Sequence, residues 1–172
     1  MYNVLVVSDS HGLTDELEQV SKRHKVDLAI HCGDSELPSD APQLASYKTV
    51  AGNCDWNGTF PNEKLIEIGG LRFFISHGHQ TNVKTSLMNL QYRALEHNAD
   101  VACFGHTHIA YAEKVDNCLL LNPGSIRLPK YFSEPSYVLL EWENPAKVDV
   151  TFYHVSGEVI TSFPYEKHFS FK

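Results

Sequence analysis

The sequence predicts an α+β (α/β layered) domain in which helices pack on at least one mixed β-sheet. Two observations lead to this prediction: short apolar runs bounded by Gly, Asp or Pro, and two segments with helical spacing of apolar residues. The order is strand–helix–strand at first and mostly strand in the second half, which is typical of layered α/β or α+β domains. For a chain of 172 residues we expect a single domain that spans 1–172.

Six apolar runs supply the predicted strands. They are VLVV (4–7), VDLAI (26–30), RFFIS (72–76), VACF (101–104), CLLL (118–121) and YVLLEW (137–142). The two predicted helices carry apolar residues at i, i+4 and i+7. These residues are Leu13, Leu17 and Val20 in the first helix, and Val83, Leu87 and Leu90 in the second. Each helix should therefore bury one face against a sheet.

Composition argues against several classes of partner. The net charge is −7 and no Lys/Arg run is present, so we expect neither nucleic acid nor an anionic membrane surface as a partner. No stretch reaches the roughly 18 consecutive apolar residues of a membrane span. The four cysteines lack C-x-x-C spacing, which indicates reduced thiols in a cytoplasmic protein. The sequence leaves open whether the chain forms homo-oligomers.

Polar side chains that can bind metal follow one predicted strand after another. The clusters are SDSHG (8–12), HCGDS (31–35), AGNCDW (51–56), SHGHQ (76–80) and FGHTH (104–108). Each cluster alone is explained as well by a turn or by a partly buried histidine. In layered α/β proteins, however, ligands bind where the carboxyl ends of strands converge. The recurrence of such clusters therefore favours a metal centre.

Seven N- or O-donor side chains form the predicted metal centre. They are Asp9, His11, Asp34, Asn53, His77, His106 and His108. A mixed set of imidazole, carboxylate and amide ligands suits two divalent ions of the first transition row. We expect two manganese ions, with Ni, Co, Fe or Zn as the alternatives.

The order of these residues resembles the motif of the calcineurin-like metallophosphoesterases, which reads D-x-H, G-D, G-N, H and G-H-x-H. The sequence carries it as Asp9-Ser10-His11, Gly33-Asp34, Gly52-Asn53, His77 and Gly105-His106-Thr107-His108. The short chain and the segments GNCD and NPGS resemble the small bacterial and archaeal phosphodiesterase branch of that family. The resemblance implies two mixed β-sheets sandwiched between helices.

The resemblance also implies a role for each ligand. The first ion would be bound by Asp9, His11 and His108, the second by Asn53, His77 and His106, and Asp34 would bridge both. The implied activity is a dinuclear-metal-dependent phosphodiesterase. It would hydrolyse a small organic phosphate ester through a hydroxide that bridges the two ions.

The residue after Asn53 departs from the pattern of larger relatives, which carry a histidine there as a general acid. This sequence has Cys54, and a neutral thiol is a weaker proton donor than an imidazolium. We therefore expect a preference for diesters with acidic, aryl-like leaving groups. His79 and Asp55 are alternative donors. The catalytic candidates are Asp34, Asn53, Cys54 and His79.

A second hypothesis is a non-catalytic or weakly catalytic scaffold that binds a protein partner. The resemblance allows it, because the same fold includes the small retromer subunit, an assembly platform that has lost a metal-binding histidine. In this sequence no ligand position is missing, which favours an enzyme. A DNA-repair nuclease of the family is disfavoured by the short chain and by Cys54.

Overall fold

The computed structural model describes residues 1–56 and 59–172. Short strands dominate these ranges, and only two α-helices of nine residues each occur in them. The elements in chain order are β1 (Tyr2–Val7), α1 (Asp15–Arg23), β2 (Leu28–His31), a 3-10 helix (Pro42–Leu44), β3 (Tyr47–Thr49), β4 (Glu63–Ile68), β5 (Leu71–Ser76), α2 (Met88–Glu96), β6 (Val101–Cys103), β7 (Tyr111–Val115), β8 (Cys118–Asn122), β9 (Ser136–Asn144), β10 (Lys147–His154) and β11 (His168–Phe169).

The strands form two mixed sheets, as predicted. The first sheet has the order β11-β10-β9-β1-β2-β3, and the second has the order β4-β5-β6-β8-β7. In the first sheet β1, β2 and β3 are parallel neighbours, whereas β9 pairs antiparallel with β1. In the second sheet β5, β6 and β8 are parallel, and the two edge strands are antiparallel to them. Each sheet therefore contains three adjacent parallel strands whose carboxyl ends lie at one edge.

Side-chain alternation along β1 fixes the layers on the first sheet. Val4 and Val6 belong to the core cluster between the two sheets, whereas Leu5 and Val7 belong to the cluster on the opposite face. Successive residues of a strand point to opposite faces, so a strand that is apolar throughout is covered on both sides. Leu17 of α1 is fully buried in that second cluster, which places the helix on the outer face of the sheet.

The second sheet repeats this arrangement with α2. Phe73 and Ile75 of β5 join the core between the sheets, whereas Phe74 lies in a cluster on the outer face. Leu90 and Ala94 of α2 are fully buried in the same outer cluster. The layers run helix, sheet, sheet, helix, which confirms the sandwich predicted from the sequence.

Both predicted helices exist, but α1 begins after Leu13, and α2 begins after Val83 and Leu87, the second of which is its N-cap. Leu13 lies in a turn, where its N–H donates to the Ser10 carbonyl over 3.0 Å. Val83 is likewise in a turn, and its N–H donates to the Gly78 carbonyl over 3.2 Å. Both side chains still pack with the clusters under their helices, which explains why they fit the spacing. Within the described residues no helix is long and apolar enough to cross a membrane.

Five strands, β3, β4, β7, β10 and β11, were not predicted as separate elements. In β10, Val148, Val150 and Phe152 are buried and alternate with more exposed residues. Such a strand shows no continuous apolar run, because only one of its faces is covered. Continuous apolar runs therefore mark the central strands, whereas strands with one solvated face lack such runs.

We expect Phe73→Ala to lower the free energy of unfolding by about 3–5 kcal/mol, because it removes a fully buried ring from the core between the sheets. The Phe73 ring lies 6.1 Å from that of Trp142, centroid to centroid. Urea denaturation of the variant measures the change. Tyr92→Ala on α2, whose side chain is 55% exposed, is the matched control and should change stability by no more than about 0.5 kcal/mol. Equal effects of the two changes would contradict this description of the core.

Candidate metal centre

The candidate metal centre lies where the carboxyl ends of the six parallel strands meet. β1 leads into Asp9 and His11, and β2 leads into Asp34. Asn53 follows β3, His77 directly follows β5, and the pair His106 and His108 follows β6. The two sheets thus contribute loops from opposite sides of the sandwich. The structure brings all seven predicted side chains together in two adjoining groups.

The first group consists of Asp9, His11 and His108, each of which offers one ligand atom within 4.8 Å of the others. Asp9 Oδ1 lies 3.1 Å from His108 Nε2 and 3.8 Å from His11 Nε2. The two Nε2 atoms are 3.2 Å apart. These are the three residues expected around the first ion.

The second group consists of Asp34, His77 and His106, again with ligand atoms within 4.8 Å of one another. His77 Nε2 lies 3.2 Å from Asp34 Oδ2 and 3.1 Å from Asn53 Oδ1, so Asn53 joins this group. The same nitrogen is 3.9 Å from Asp9 Oδ1, which connects the two groups. The structure places Asp34 beside His77, and its bridging role stays a prediction.

Hydrogen bonds at Nδ1 orient three of the imidazoles. The pairs are His11 Nδ1 with Glu36 Oε2 at 2.8 Å, His77 Nδ1 with the Cys32 carbonyl at 2.7 Å, and His108 Nδ1 with the Leu128 carbonyl at 2.8 Å. Carbonyl and carboxylate oxygens only accept, so Nδ1 carries the proton in each neutral ring. Each Nε2 then presents a lone pair to the centre, as in histidines that bind metal.

The buried carboxylate of Asp9 supplies the test of whether a cation fits. Its Oδ2 accepts from the Ser8 hydroxyl at 2.6 Å and from the His106 N–H at 3.1 Å. Its Oδ1 is buried and has no hydrogen-bond partner among the described residues. That oxygen faces imidazole lone pairs, an arrangement of acceptors that is unfavourable unless a cation or proton lies between them. The donor set therefore fits divalent metal ions.

Charge in the centre comes from two carboxylates. Burial raises the pKa of Asp9, but the neighbouring imidazoles of His108 and His77 outweigh it, so the net pKa is lowered. Burial likewise opposes ionisation of Asp34, whose pKa His77 holds well below its usual value. Burial would lower the pKa of His77, but the carboxylates of Asp34 and Asp9 outweigh this effect and raise it. Burial lowers the pKa of His106 to about 4, so that ring is neutral near pH 7.

Five of the seven candidate ligands have left-handed backbone conformations. Their φ angles are 53° at Asp9, 43° at His11, 56° at Asp34, 68° at His106 and 60° at His108. Few residues other than glycine adopt positive φ, and such strain concentrates at functional sites. The sharp reversals let short loops turn their side chains back toward one centre.

Two glycines of the motif permit close approach of the loops. A Cβ at Gly52 would overlap the carboxylate and backbone of Asp34. A Cβ at Gly105 would overlap the Ser8 hydroxyl and the Asp9 carboxylate. The glycines in G-N and G-H therefore make room for the two acidic ligands.

Asp55 connects the loops after β2 and β3. Its Oδ2 accepts from the N–H groups of Asp34 and Gly52, both at 2.7 Å. Its Oδ1 accepts from the Glu36 N–H at 2.9 Å and from the Ser35 hydroxyl at 3.3 Å. Both oxygens therefore act as acceptors, a pattern that suits an ionised carboxylate better than the proton donor considered from the sequence. In the sequence, Asp55 stands out only by its position two residues after Asn53, and aspartate is also common in turns.

The NPGS turn after β8 supports the loops from the other side. Ser125 Oγ donates to the Asp9 carbonyl at 2.8 Å. Asn122 Nδ2 donates to the Gly105 carbonyl at 3.1 Å and to Thr107 Oγ1 at 3.0 Å. These side chains hold the backbone on which Asp9 and the two histidines after β6 are mounted. The sequence drew attention to the NPGS segment only through its resemblance to the family, and these contacts become visible only in the fold.

Cys54 and His79, the two further catalytic candidates, border the second group. The Cys54 N–H donates to Asp34 Oδ1 at 2.8 Å. Burial and then the charge of Asp34 raise the pKa of the Cys54 thiol to about 11, so it is protonated near pH 7. The His79 ring lies 5.4 Å from that of His77 and 6.1 Å from that of His106, centroid to centroid. Burial and the neighbouring His77 lower the pKa of His79. The catalytic roles of both residues stay predictions.

Comparison with known proteins agrees with this geometry. Residues 2–145 match the model of the calcineurin-like phosphoesterase superfamily domain. The probable metallophosphoesterase YsnB of Bacillus subtilis (strain 168) is 49% identical over 160 residues, which cover 92% of this chain and 94% of that protein. Phosphodiesterase MJ0936 of Methanocaldococcus jannaschii is 32% identical over 143 residues, covering 69% of this chain and 81% of that protein.

A solved structure shows the same fold over nearly the whole chain. It is that of a predicted phosphoesterase from Streptococcus pneumoniae TIGR4, with a TM-score of 0.92 and 33% sequence identity, covering 98% of this chain and 97% of that chain. The superfamily model alone covers well over half of the 172 residues. The chain belongs to the calcineurin-like phosphoesterase superfamily, as a member of its metallophosphoesterases.

Proposed function

We propose that this chain is a phosphodiesterase that uses two divalent metal ions to hydrolyse a small organic phosphate ester. The observation that carries the proposal is the buried Asp9 Oδ1, which finds no hydrogen-bond partner in the described part of the chain and faces the Nε2 atoms of three histidines. Membership of the superfamily and the similarity to a protein named phosphodiesterase support the reaction class.

Each ion would be held by its own group of side chains. Asp9, His11 and His108 would hold the first ion, Asn53, His77 and His106 the second, and Asp34 would be shared. When bound, the ions would supply Lewis-acid activation of water and neutralise charge that develops on the phosphoryl group. We propose manganese as the resident metal, with Ni, Co, Fe or Zn as alternatives, because imidazole and carboxylate ligands suit this series.

The charge of the centre would direct an anionic substrate to it. Two divalent ions would bring four positive charges against the two carboxylates of Asp9 and Asp34, so the occupied centre would be cationic. The whole chain carries a net charge of −7, so attraction of a phosphate depends on this local site. The loops that carry the ligands are short and hydrogen-bonded to one another, so they keep the ligand geometry fixed.

The complete set of ligands favours an enzyme over the scaffold hypothesis. The positive φ angles at five candidate ligands also support a functional metal site, because backbone strain concentrates at such sites. We propose a cytoplasmic location, because the four cysteines are free in the described part of the chain, as is usual in reducing compartments.

Asp34→Ala and Asn53→Ala should each abolish metal-dependent hydrolysis of bis(4-nitrophenyl) phosphate. The expected loss exceeds the roughly 10- to 100-fold effect of removing a residue that only supports a ligand. The assay uses chelator-treated protein with Mn, Ni, Co, Mg or Zn added back singly, and metal analysis counts the ions bound per chain. Asp40→Ala, an exposed acid outside the centre, is the control and should match the wild type. Turnover near wild type in Asp34→Ala would refute the site.

Glu36→Ala should weaken manganese binding by roughly 10- to 100-fold, because it removes the acceptor that orients His11. Glu36→Gln should recover part of the loss, since an amide oxygen still accepts from Nδ1. Isothermal titration calorimetry on metal-free protein measures both changes without reference to turnover. Unchanged affinity in Glu36→Ala would show that the Glu36 contact does not support the first ion.

Cys54→Ala should slow hydrolysis of diesters with alkyl leaving groups more than that of aryl diesters. The Cys54 thiol is protonated near pH 7 and adjoins Asp34, so it can donate to a departing alkoxide, whereas nitrophenolate leaves unaided. Comparing kcat for a dialkyl and a bis-aryl diester in the variant and the wild type gives the ratio. An equal decrease for both substrates would assign the thiol a packing role.

A further inference from the structure

A cavity of about 190 Å³ lies directly beside the candidate metal centre. It is lined by Glu36, Leu37, Cys54, Asp55, Trp56 and Phe60. Two of these residues also adjoin the centre, because His11, Glu36 and Cys54 offer atoms within 4.8 Å of one another. The cavity and the metal centre therefore share a wall made of Glu36 and Cys54.

The opposite side of this cavity is apolar. Leu37 and Phe60 pack against the core cluster on the outer face of the first sheet, which holds them in place. Trp56 is 87% exposed, so its indole ring is accessible from solvent. Large aromatic side chains gain from contact with another ring in offset or edge-to-face geometry. A cavity with these walls is suited to a flat apolar group.

We propose that this cavity binds one uncharged aromatic ring of the phosphodiester whose phosphate lies at the metal centre. The inference rests on the proposed function, because the phosphate group is what would hold the ester beside the cavity. Ring contacts would come from Leu37, Trp56 and Phe60. These three residues would determine specificity and take no part in the chemical step.

Size and charge select this occupant. An apolar cavity of about 150 Å³ accommodates benzene, so the observed volume suits a single ring and is small for a fused system. The acidic residues Glu36 and Asp55 belong to the lining of the same cavity, so a second phosphate or a carboxylate on the ester would be disfavoured there. A phenyl group and a pyrimidine share the required chemistry, and the test must separate them.

The test compares the affinities of diesters whose leaving groups are poorer than nitrophenolate, and which therefore turn over more slowly, for manganese-loaded protein by isothermal titration calorimetry. The probes are diphenyl phosphate and dimethyl phosphate, which present the same anionic phosphate with and without rings. We expect the wild type to bind diphenyl phosphate more tightly. Trp56→Ala and Phe60→Ala should each weaken diphenyl phosphate roughly three- to tenfold and leave dimethyl phosphate unchanged. Tyr92→Ala, which removes an exposed aromatic side chain from α2, is the matched control.

A second pair of probes distinguishes an aryl ester from a pyrimidine nucleotide as the natural occupant of the cavity. These probes are methyl phenyl phosphate and the methyl ester of uridine 5′-phosphate. An effect of Trp56→Ala on the phenyl probe alone assigns the cavity to aryl esters, and an effect on both extends it to pyrimidine nucleotides. The proposal is overturned if neither variant changes the ratio of diphenyl to dimethyl phosphate affinity. Failure of the proposed function shows separately, as an inability of dimethyl phosphate to bind or of aryl diesters to be hydrolysed.

Discussion

The buried carboxylate of Asp9 sets the main physical constraint on this structure. One oxygen is satisfied by the Ser8 hydroxyl and the His106 N–H, and the other faces the Nε2 atoms of His11, His77 and His108 at 3.8, 3.9 and 3.1 Å. Groups that accept hydrogen bonds repel one another at these distances unless a cation joins them. The rest of the fold must therefore hold mutually unfavourable side chains in place until a metal binds.

Connections between neighbouring loops meet this constraint. The Asp9 N–H donates to the Gly33 carbonyl and the His11 N–H to the Asp34 carbonyl, both at 3.0 Å, so the backbone pairing of β1 with β2 continues into the loops that follow them. The Gly105 N–H donates to the His77 carbonyl at 3.0 Å and makes the same link beyond β5 and β6. These bonds offset the strain of positive φ angles, which costs of order 1–3 kcal/mol per residue. The backbone pairing within the two sheets thus determines the distances between the candidate ligands.

The sequence predicted the central strands and the seven converging side chains because these features leave local signals, whereas the two sheets were implied by the resemblance to the family. A strand covered on both faces is a continuous apolar run, and its loop begins where polar residues appear. Contacts between distant segments leave no such signal. Glu36 lies 25 residues from His11, and only the fold shows that its carboxylate meets Nδ1. The contacts of Asp55 leave no local signal either, since its four donors come from two loops.

Glu36 connects the orientation of a metal ligand with the selection of the substrate. The Asp55 carboxylate holds the backbone N–H of Glu36, while the Glu36 side chain accepts from His11 and also lines the proposed ring cavity. An ion bound by His11 would fix this carboxylate in its present position, and the wall of the cavity would be fixed with it. Linkage is reciprocal, so a ring that requires the same wall must favour the ion in equal measure. The loops after β2 and β3 would therefore adapt the ligand set common to the family to one class of ester.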